Sequence, residues 1–269
     1  MKKTILLTGA TDGIGLETAR MLAADGHHLL LHGRSPDKLT RVVAEVAAIP
    51  GAGPVENYVA DLSKLKAVVA MANDVASKHQ RLDVLINNAG VLKAPNTTTA
   101  SGLDLRIVVN TLAPYVLTRR LLGLMDGSSR VINLSSAAQA PVNLEAMAGR
   151  GNLTDMEAYA QSKLAITMWS RHLADELGPD GPVIVAVNPA SLLGTKMVKS
   201  GFGVAGNDIS IGAEILVRAS LSDEFADASG KYYDNDAKRF GPPHADALDA
   251  GKRADVVRVI DELSADARA

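Results

Sequence analysis

The apolar residues of the chain fall in short continuous runs, separated by stretches of helical composition. Residues 4–7, 28–32, 55–60, 82–86, 130–134 and 183–187 are such runs, as strands buried on both faces of a parallel sheet would be. Helices are predicted over residues 16–24, 36–48 and 64–78, the second opened by Ser35-Pro36, a cap residue followed by a proline whose fixed φ suits the first helical turn. Ser101-x-x-Asp104 resembles a capping box for a helix to about residue 122, and Thr154-x-x-Glu157 one for a long helix to about residue 177. Residues 209–219 read as a further helix, 231–233 as a short last strand and 254–263 as a C-terminal helix. Strand alternating with helix predicts one α/β domain over residues 1–269, its sheet covered on both faces by right-handed crossovers.

Ligands of such sheets bind beyond the carboxyl ends of the strands. Gly9, Gly13, Gly15, Asn87, Asn88, Gly90, Ser135, Ser136, Asn188 and Pro189 all lie at or just after predicted strand ends. Thr8 to Gly15 joins the first strand to the first helix, where bare backbone amides and a helix N-terminus suit a pyrophosphate. Two stretches lack a clear period: residues 137–152, broken by Pro141, Gly149 and Gly151, and residues 188–207, which read as a mobile segment.

Composition narrows the chemistry. With 47% hydrophobic residues, a chain of 269 residues can bury one large core. The net charge of −2, without a basic run, gives no electrostatic case for nucleic acid. The absence of cysteine excludes disulfides, thiolate nucleophiles and cysteine-held metals, and the six histidines show no ligand spacing with carboxylates, so no metal is expected. The apolar run after Met1-Lys2-Lys3 stops at Leu7, too short for a signal peptide or a membrane span. A cytoplasmic protein with no membrane partner is the expectation.

Tyr159 and Lys163, four residues apart on the long predicted helix, share one face. A free tyrosine has a pKa of about 10, and a neighbouring cation that stabilises the phenolate makes it usable as an acid or base near neutrality. Alone, such a pair is most often a solvated surface contact. Here it has company: Thr8-Gly9-Ala10-Thr11-Asp12-Gly13-Ile14-Gly15, Asn87-Asn88-Ala89-Gly90, Ser136, Tyr159-x-x-x-Lys163 and Asn188-Pro189. In order and approximate spacing this set resembles the short-chain dehydrogenase/reductase family, from residue 1 to about residue 200. The resemblance implies a Rossmann-like, doubly wound parallel sheet of about seven strands in the order 3-2-1-4-5-6-7, with helices on both faces. It also implies a bound nicotinamide dinucleotide and interconversion of an alcohol and a carbonyl.

By that resemblance Tyr159 is the general acid/base, Lys163 lowers its pKa and holds the nicotinamide ribose, and Ser136 hydrogen-bonds the substrate oxygen. Asn110 matches the fourth catalytic position, which anchors a proton-relay water; it also reads as a helix residue with a satisfied amide. Ser135 is chemically equivalent to Ser136, and the family alignment favours the second serine. The cofactor contacts implied are Gly9, Thr11, Asp12, Gly13, Ile14 and Gly15, then Asp61, Leu62, Asn88, Ala89 and Gly90 on the adenosine side. Tyr159, Lys163, Pro189 and Thr195 are implied on the nicotinamide side, and Asp61 or Ser63 as a plain helix cap stays open. At the end of the second strand, His32-Gly33-Arg34-Ser35 offers no acid to the ribose of NAD, while the forked Arg34 cation and the Ser35 hydroxyl suit a 2′-phosphate. NADP(H) is therefore preferred, with NAD(H) as the alternative. Asp12 departs from many NADP-using relatives, which carry a basic residue there.

Two further departures bear on the substrate side. Ala190 follows Pro189 where the family usually has glycine, and its side chain restricts the backbone. The gap between Ser136 and Tyr159 is longer than in many relatives and resembles an insertion of retinol-dehydrogenase-like members. Segments 137–155 and 190–208 are thus expected on the substrate side, with loop packing that makes no substrate contact as the other reading. Leu192 and Leu193 join Ser136 and Tyr159 as substrate contacts, with Met197 and Phe202 nearby. The reading is an NADP(H)-dependent oxidoreductase for a small to medium, fairly apolar substrate. A non-catalytic NAD(P)-binding sensor is the alternative, and intact Ser136, Tyr159 and Lys163 argue against it. Relatives often pair through the helices after strands four and five, which leaves a homo-dimer or tetramer open.

Overall fold

In the computed structural model, which describes residues 1–268 apart from the side chains of Phe202 and Arg268, the strands are β1 (Thr4–Leu7), β2 (His28–Gly33), β3 (Val55–Val59), β4 (Val84–Asn87), β5 (Arg130–Leu134), β6 (Val183–Asn188), β7 (Tyr232–Asp234) and β8 (Arg239–Gly241). They form one sheet in the order 3-2-1-4-5-6-7-8, parallel except where β8 turns back antiparallel on β7. The eighth strand was not expected. Its sequence has no apolar run, and it becomes a strand by pairing with β7 after a turn in which Lys238 has φ 53°. Phe240 then packs 5.0 Å from Tyr233 and 5.1 Å from Phe225.

The helices are α1 (Gly13–Ala24), α2 (Pro36–Ala47), α3 (Leu65–Lys78), α4 (Leu105–Ile107), α5 (Ala113–Leu121), α6 (Leu144–Met147), α7 (Asp155–Leu177), α8 (Lys196–Phe202), α9 (Ser210–Leu221) and α10 (Ala250–Arg268). A π-helical turn, Val108–Leu112, links α4 to α5. Successive strand residues face opposite layers. Leu6 and Leu30 enter the core under α3, α5, α7 and α10, whereas Ile5, Leu7, Leu29 and Leu31 enter the one under α1, α2 and α9. That two-sided burial is why the strands read as unbroken apolar runs.

The capping box at Thr154 and Glu157 is present, with both reciprocal hydrogen bonds. The one expected at Ser101 is not. Ser101 bonds Thr99, and Asp104 caps the helix instead, its carboxylate accepting from the Arg106 amide at 2.7 Å. The irregular stretch contains α6, and the segment read as mobile contains α8, capped by Thr195.

α10 is longer than expected and packs against α7 and α3. Val256, Val257 and Ile260 are buried in the shared core; the Tyr115 hydroxyl donates to Asp261 at 2.9 Å and Arg253 pairs with Asp175 at 2.8 Å. No helix among the described residues is long and apolar enough to cross a membrane. Because Ile260 is fully buried, Ile260→Ala should lower the unfolding free energy by about 2–5 kcal/mol in urea titration; a change below about 0.5 kcal/mol would mean that α10 is not part of the cooperative unit.

Candidate active site

The glycine loop between β1 and α1 is held down by its neighbours. Asn88 donates through Nδ2 to the carbonyls of Thr8 at 2.8 Å and Gly9 at 3.2 Å, while the Thr8 hydroxyl receives the amides of Asn88 and Ala89. His32 accepts the Gly9 amide at Nδ1, so Nε2 carries the proton and donates to the Ala60 carbonyl at 3.0 Å. Burial pushes its pKa down, which keeps the ring neutral in that role. A Cβ on Gly15 would come 2.3 Å from the Gly9 carbonyl oxygen, so only glycine allows this approach.

Over this loop opens a cleft of about 430 Å³ running along the carboxyl ends of the strands. Its lining includes Gly9, Thr11, Asp12, Gly13, Ile14, Gly15, Arg34, Asp61, Leu62, Asn88, Ala89, Gly90, Tyr159, Lys163, Pro189 and Thr195, all expected as cofactor contacts. The close-packed glycine loop, whose first-turn amides have no partner within α1, fits a dinucleotide's pyrophosphate. Asp61 lines the cleft and also shapes its own turn, accepting from the amide and hydroxyl of Ser63. Asp12 caps α1 and gathers Lys38 at 2.9 Å and Lys196 at 2.6 Å. Burial pushes its carboxyl up, but the hydrogen bonds and charges of these two lysines outweigh that and hold it at about 2.

At the other end, the capping box fixes the start of α7 and places Tyr159 in its first turns. Ser136 stands beside the Tyr159 phenol, near enough to act on its pKa. Lys163 is buried, donates from Nζ to the Leu134 carbonyl at 2.7 Å and lies 5.6 Å from the centroid of the Tyr159 ring. The two serines differ: Ser135 lines the cleft with its hydroxyl tied to the Lys163 carbonyl and Thr167, whereas Ser136, beside the Tyr159 phenol, accepts the Ala138 amide and is not among the lining residues. Burial pushes the Tyr159 phenol up, and the neighbouring Ser136 works against that.

Asn110 sits in the π-helical turn with its amide fully committed, donating to the Val91 carbonyl and Ser162 and accepting the Val91 amide. It ties the loop after β4 to α7. A Cβ on Gly90 would lie 3.5 Å from Asn110 Oδ1 and 3.6 Å from Lys163 Nζ, so both flank that glycine.

Some expected contacts are absent. Ser35 is exposed at the start of α2 and does not line the cleft. Leu192 is 45% exposed, turned outward by a backbone held at φ 53° with its carbonyl on the Asn207 amide, and Leu193 is buried against Gly212 of α9. Neither lines the cleft. No residue of 137–155 does so either; Ala137 and Gln139 border a separate hollow beside Tyr232 and His244. The Phe202 side chain lies outside the described residues. The apolar wall near Tyr159 is built from Val91, Leu105, Val109 and Met197. Of these, only Met197 was expected, since the others belong to the loop and helix after β4, where nothing but the fold directs a side chain inward.

The family model described as short chain dehydrogenase matches residues 3–202. The chain belongs to the short-chain dehydrogenase family. It is similar to retinol dehydrogenase 13 of Homo sapiens, 30% identical over 93% of this chain and 82% of that protein, and to retinol dehydrogenase 12 of Bos taurus, 32% identical over 90% and 81%. Among solved structures it resembles an uncharacterised protein from Mycobacterium paratuberculosis, with a TM-score of 0.80, 28% identity and coverage of 98% of this chain and 93% of that one. It also resembles a short chain dehydrogenase from Escherichia coli CFT073 complexed with NADPH, with a TM-score of 0.70, 27% identity and coverage of 87% and 96%. As a short-chain dehydrogenase the protein is an NAD(P)(H)-dependent oxidoreductase acting on CH–OH groups.

Two features of this short-chain dehydrogenase give measurable consequences. Ala190 adopts φ 115°, a region that favours glycine, and is held there from both sides. Asn188 donates to Asp234 and Asp236, Asn235 donates to the Pro189 carbonyl, and Ser191 is fastened to Asp236. Ala190→Gly should therefore stabilise the protein by about 1 kcal/mol, seen as a rise of about 2–4 °C in Tm; an unchanged or lower Tm would contradict the strain. Burial also pushes the Lys163 ammonium from 10.5 down to about 8. The unfolded chain then binds the extra proton between those values, so this group's contribution to stability rises with pH across that window. Urea titrations of Lys163→Met should show it more favourable relative to wild type at pH 7 than at pH 10, and a pH-independent difference would refute the shift.

Proposed function

We propose that the protein is an NADP(H)-dependent reductase or dehydrogenase interconverting a carbonyl and an alcohol on a small to medium, fairly apolar substrate. The observation that carries this reading is one cleft with Arg34 at one end and the Tyr159–Lys163 pair at the other, bordered by a glycine loop and an apolar wall. Arg34 has no hydrogen bond or ion pair among the described residues, which leaves its guanidinium for a 2′-phosphate. The NADPH complex of the E. coli neighbour supports the cofactor preference, and the retinol dehydrogenase relatives support an apolar alcohol or aldehyde.

NADP(H) bound there supplies or accepts the hydride. In the reducing direction Tyr159 donates its proton to the carbonyl oxygen as that atom gains negative charge, and Ser136 donates a second hydrogen bond to the same oxygen. The Lys163 ammonium stabilises the tyrosinate that remains. Asn110 acts by position, keeping Val91 and Gly90 against the cleft.

Stopped assays of NADPH oxidation over a carbonyl panel test the reading. Tyr159→Phe should lower kcat by at least about a hundredfold while NADPH still binds; retained turnover would remove Tyr159 from the chemistry. Arg34→Ala should weaken NADPH binding by about tenfold and leave NADH binding unchanged, whereas equal losses for both cofactors would refute the 2′-phosphate contact.

A further inference from the structure

One polar cluster lies far from this cleft, at the amino ends of the strands. His28 opens β2, Glu56 lies on the neighbouring edge strand β3, and His79 caps the carboxyl end of α3. The parallel register sets Leu30 beside Glu56, so His28, Leu30, Glu56 and Tyr58 share the sheet face that α3 covers. The three side chains therefore converge although they stand far apart in sequence. His28 Nε2 is 2.8 Å from one Glu56 oxygen and His79 Nε2 is 3.4 Å from the other. All three potential ligand atoms lie within 4.8 Å of one another. The Tyr58 hydroxyl donates to Glu56 at 2.9 Å and lies 3.0 Å from His79 Nε2.

We propose that His28, Glu56 and His79 form a binding site for a divalent transition-metal ion, zinc being the first candidate. Two imidazole nitrogens and one carboxylate oxygen are a donor set that suits zinc, cobalt and nickel and that calcium or magnesium would not select. An ion about 2.0–2.2 Å from each donor accommodates donor pairs up to about 4 Å apart, so small side-chain rotations suffice. The side chains are partly exposed, His28 at 26%, Glu56 at 35% and His79 at 12%, which admits water to the remaining coordination position. The Tyr58 hydroxyl lies 2.9 Å from Glu56 Oε2 and 3.0 Å from His79 Nε2, so an ion would displace it from the imidazole and leave it on the carboxylate, the part an outer-shell partner plays. Burial pushes the Glu56 carboxyl up, but hydrogen bonds from Tyr58 and His28, with the charges of His79 and His28, hold it below the usual carboxylate range and so ionised. Sequence spacing hides this site, because its three residues come from a strand start, an edge strand and a helix end. A bound ion would clamp edge strand β3 and α3 to β2. Being at the opposite rim from Arg34 and Tyr159, it takes no part in hydride transfer.

The test uses the full-length protein after treatment with a chelator. Titration with zinc by calorimetry, and with cobalt by its visible absorption, should give one equivalent bound at a site with tetrahedral or five-coordinate character. Zinc should raise the Tm of the wild type. His28→Gln, Glu56→Gln and His79→Gln should each weaken binding by at least about tenfold and abolish the Tm rise. NADPH-dependent turnover of the variants, expected to be unchanged without metal, reports that they are folded. Should a variant fail to fold, the imidazole resonances of wild-type His28 and His79 decide: zinc must shift these two and leave His172 in place. Binding that persists in the His28→Gln/His79→Gln double variant, or zinc shifts confined to other histidines, overturns the proposal.

Discussion

A buried amine organises the cleft. Lys163 has lost its water to the packing of α7 against β5, and its ammonium is satisfied by the Leu134 carbonyl at the very end of that strand. A buried charge without a partner is far too costly to persist. The helix therefore keeps the register that brings Nζ to Leu134, and one turn earlier the same register brings Tyr159 to Ser136. The positions of Tyr159, Lys163 and Ser136 are consequences of one satisfied desolvated group.

The rest of the rim is assembled by the same rule, with buried polar side chains used as ties between strand ends. Asn88 and His32 clamp the glycine loop from either side, and Asn110 fastens the loop after β4 to α7. Deeper in, Asn87 donates to Asn133, which donates to Ser170, linking β4, β5 and α7 inside an otherwise apolar layer. Asn188 and Asn235 do likewise for β6 and β7, and the cost of that fastening is the strained Ala190. Each tie acts at the carboxyl end of the sheet. The apolar strands provide rigidity, and the amides convert it into placement of the site.

The opposite rim follows a different logic. There the side chains of β2, β3 and α3 meet at the sheet's edge, and His28, Glu56, His79 and the Tyr58 hydroxyl satisfy one another. Helix α10 closes the side of the molecule formed by α3 and α7, where Ile260 and Val257 complete a core that those helices leave open.

The sheet was legible because parallel strands buried on both faces must be short and uniformly apolar, and because helix starts carry capping chemistry, as Thr154 and Glu157 do. That the glycine loop, Arg34, Tyr159 and Lys163 line one cleft was legible because such placement follows from backbone freedom, strand ends and helical spacing, all of which are local. What stayed hidden was non-local. β8 exists only by pairing with β7, Asp104 displaced Ser101 as a cap through the turn before it, and Leu192 and Leu193 were turned away from the cleft by hydrogen bonds to Asn207 and packing on Gly212. His32 reads as an ordinary strand residue, yet it holds the Gly9 amide. The sequence alone determined the order of elements and the chemical kinds at the strand ends, since these follow from local periodicity and residue type. Only the tertiary structure decided which side chains face the cleft, where the ammonium of Lys163 points, and that two histidines and a glutamate meet, because each of these depends on contacts between residues distant in the chain.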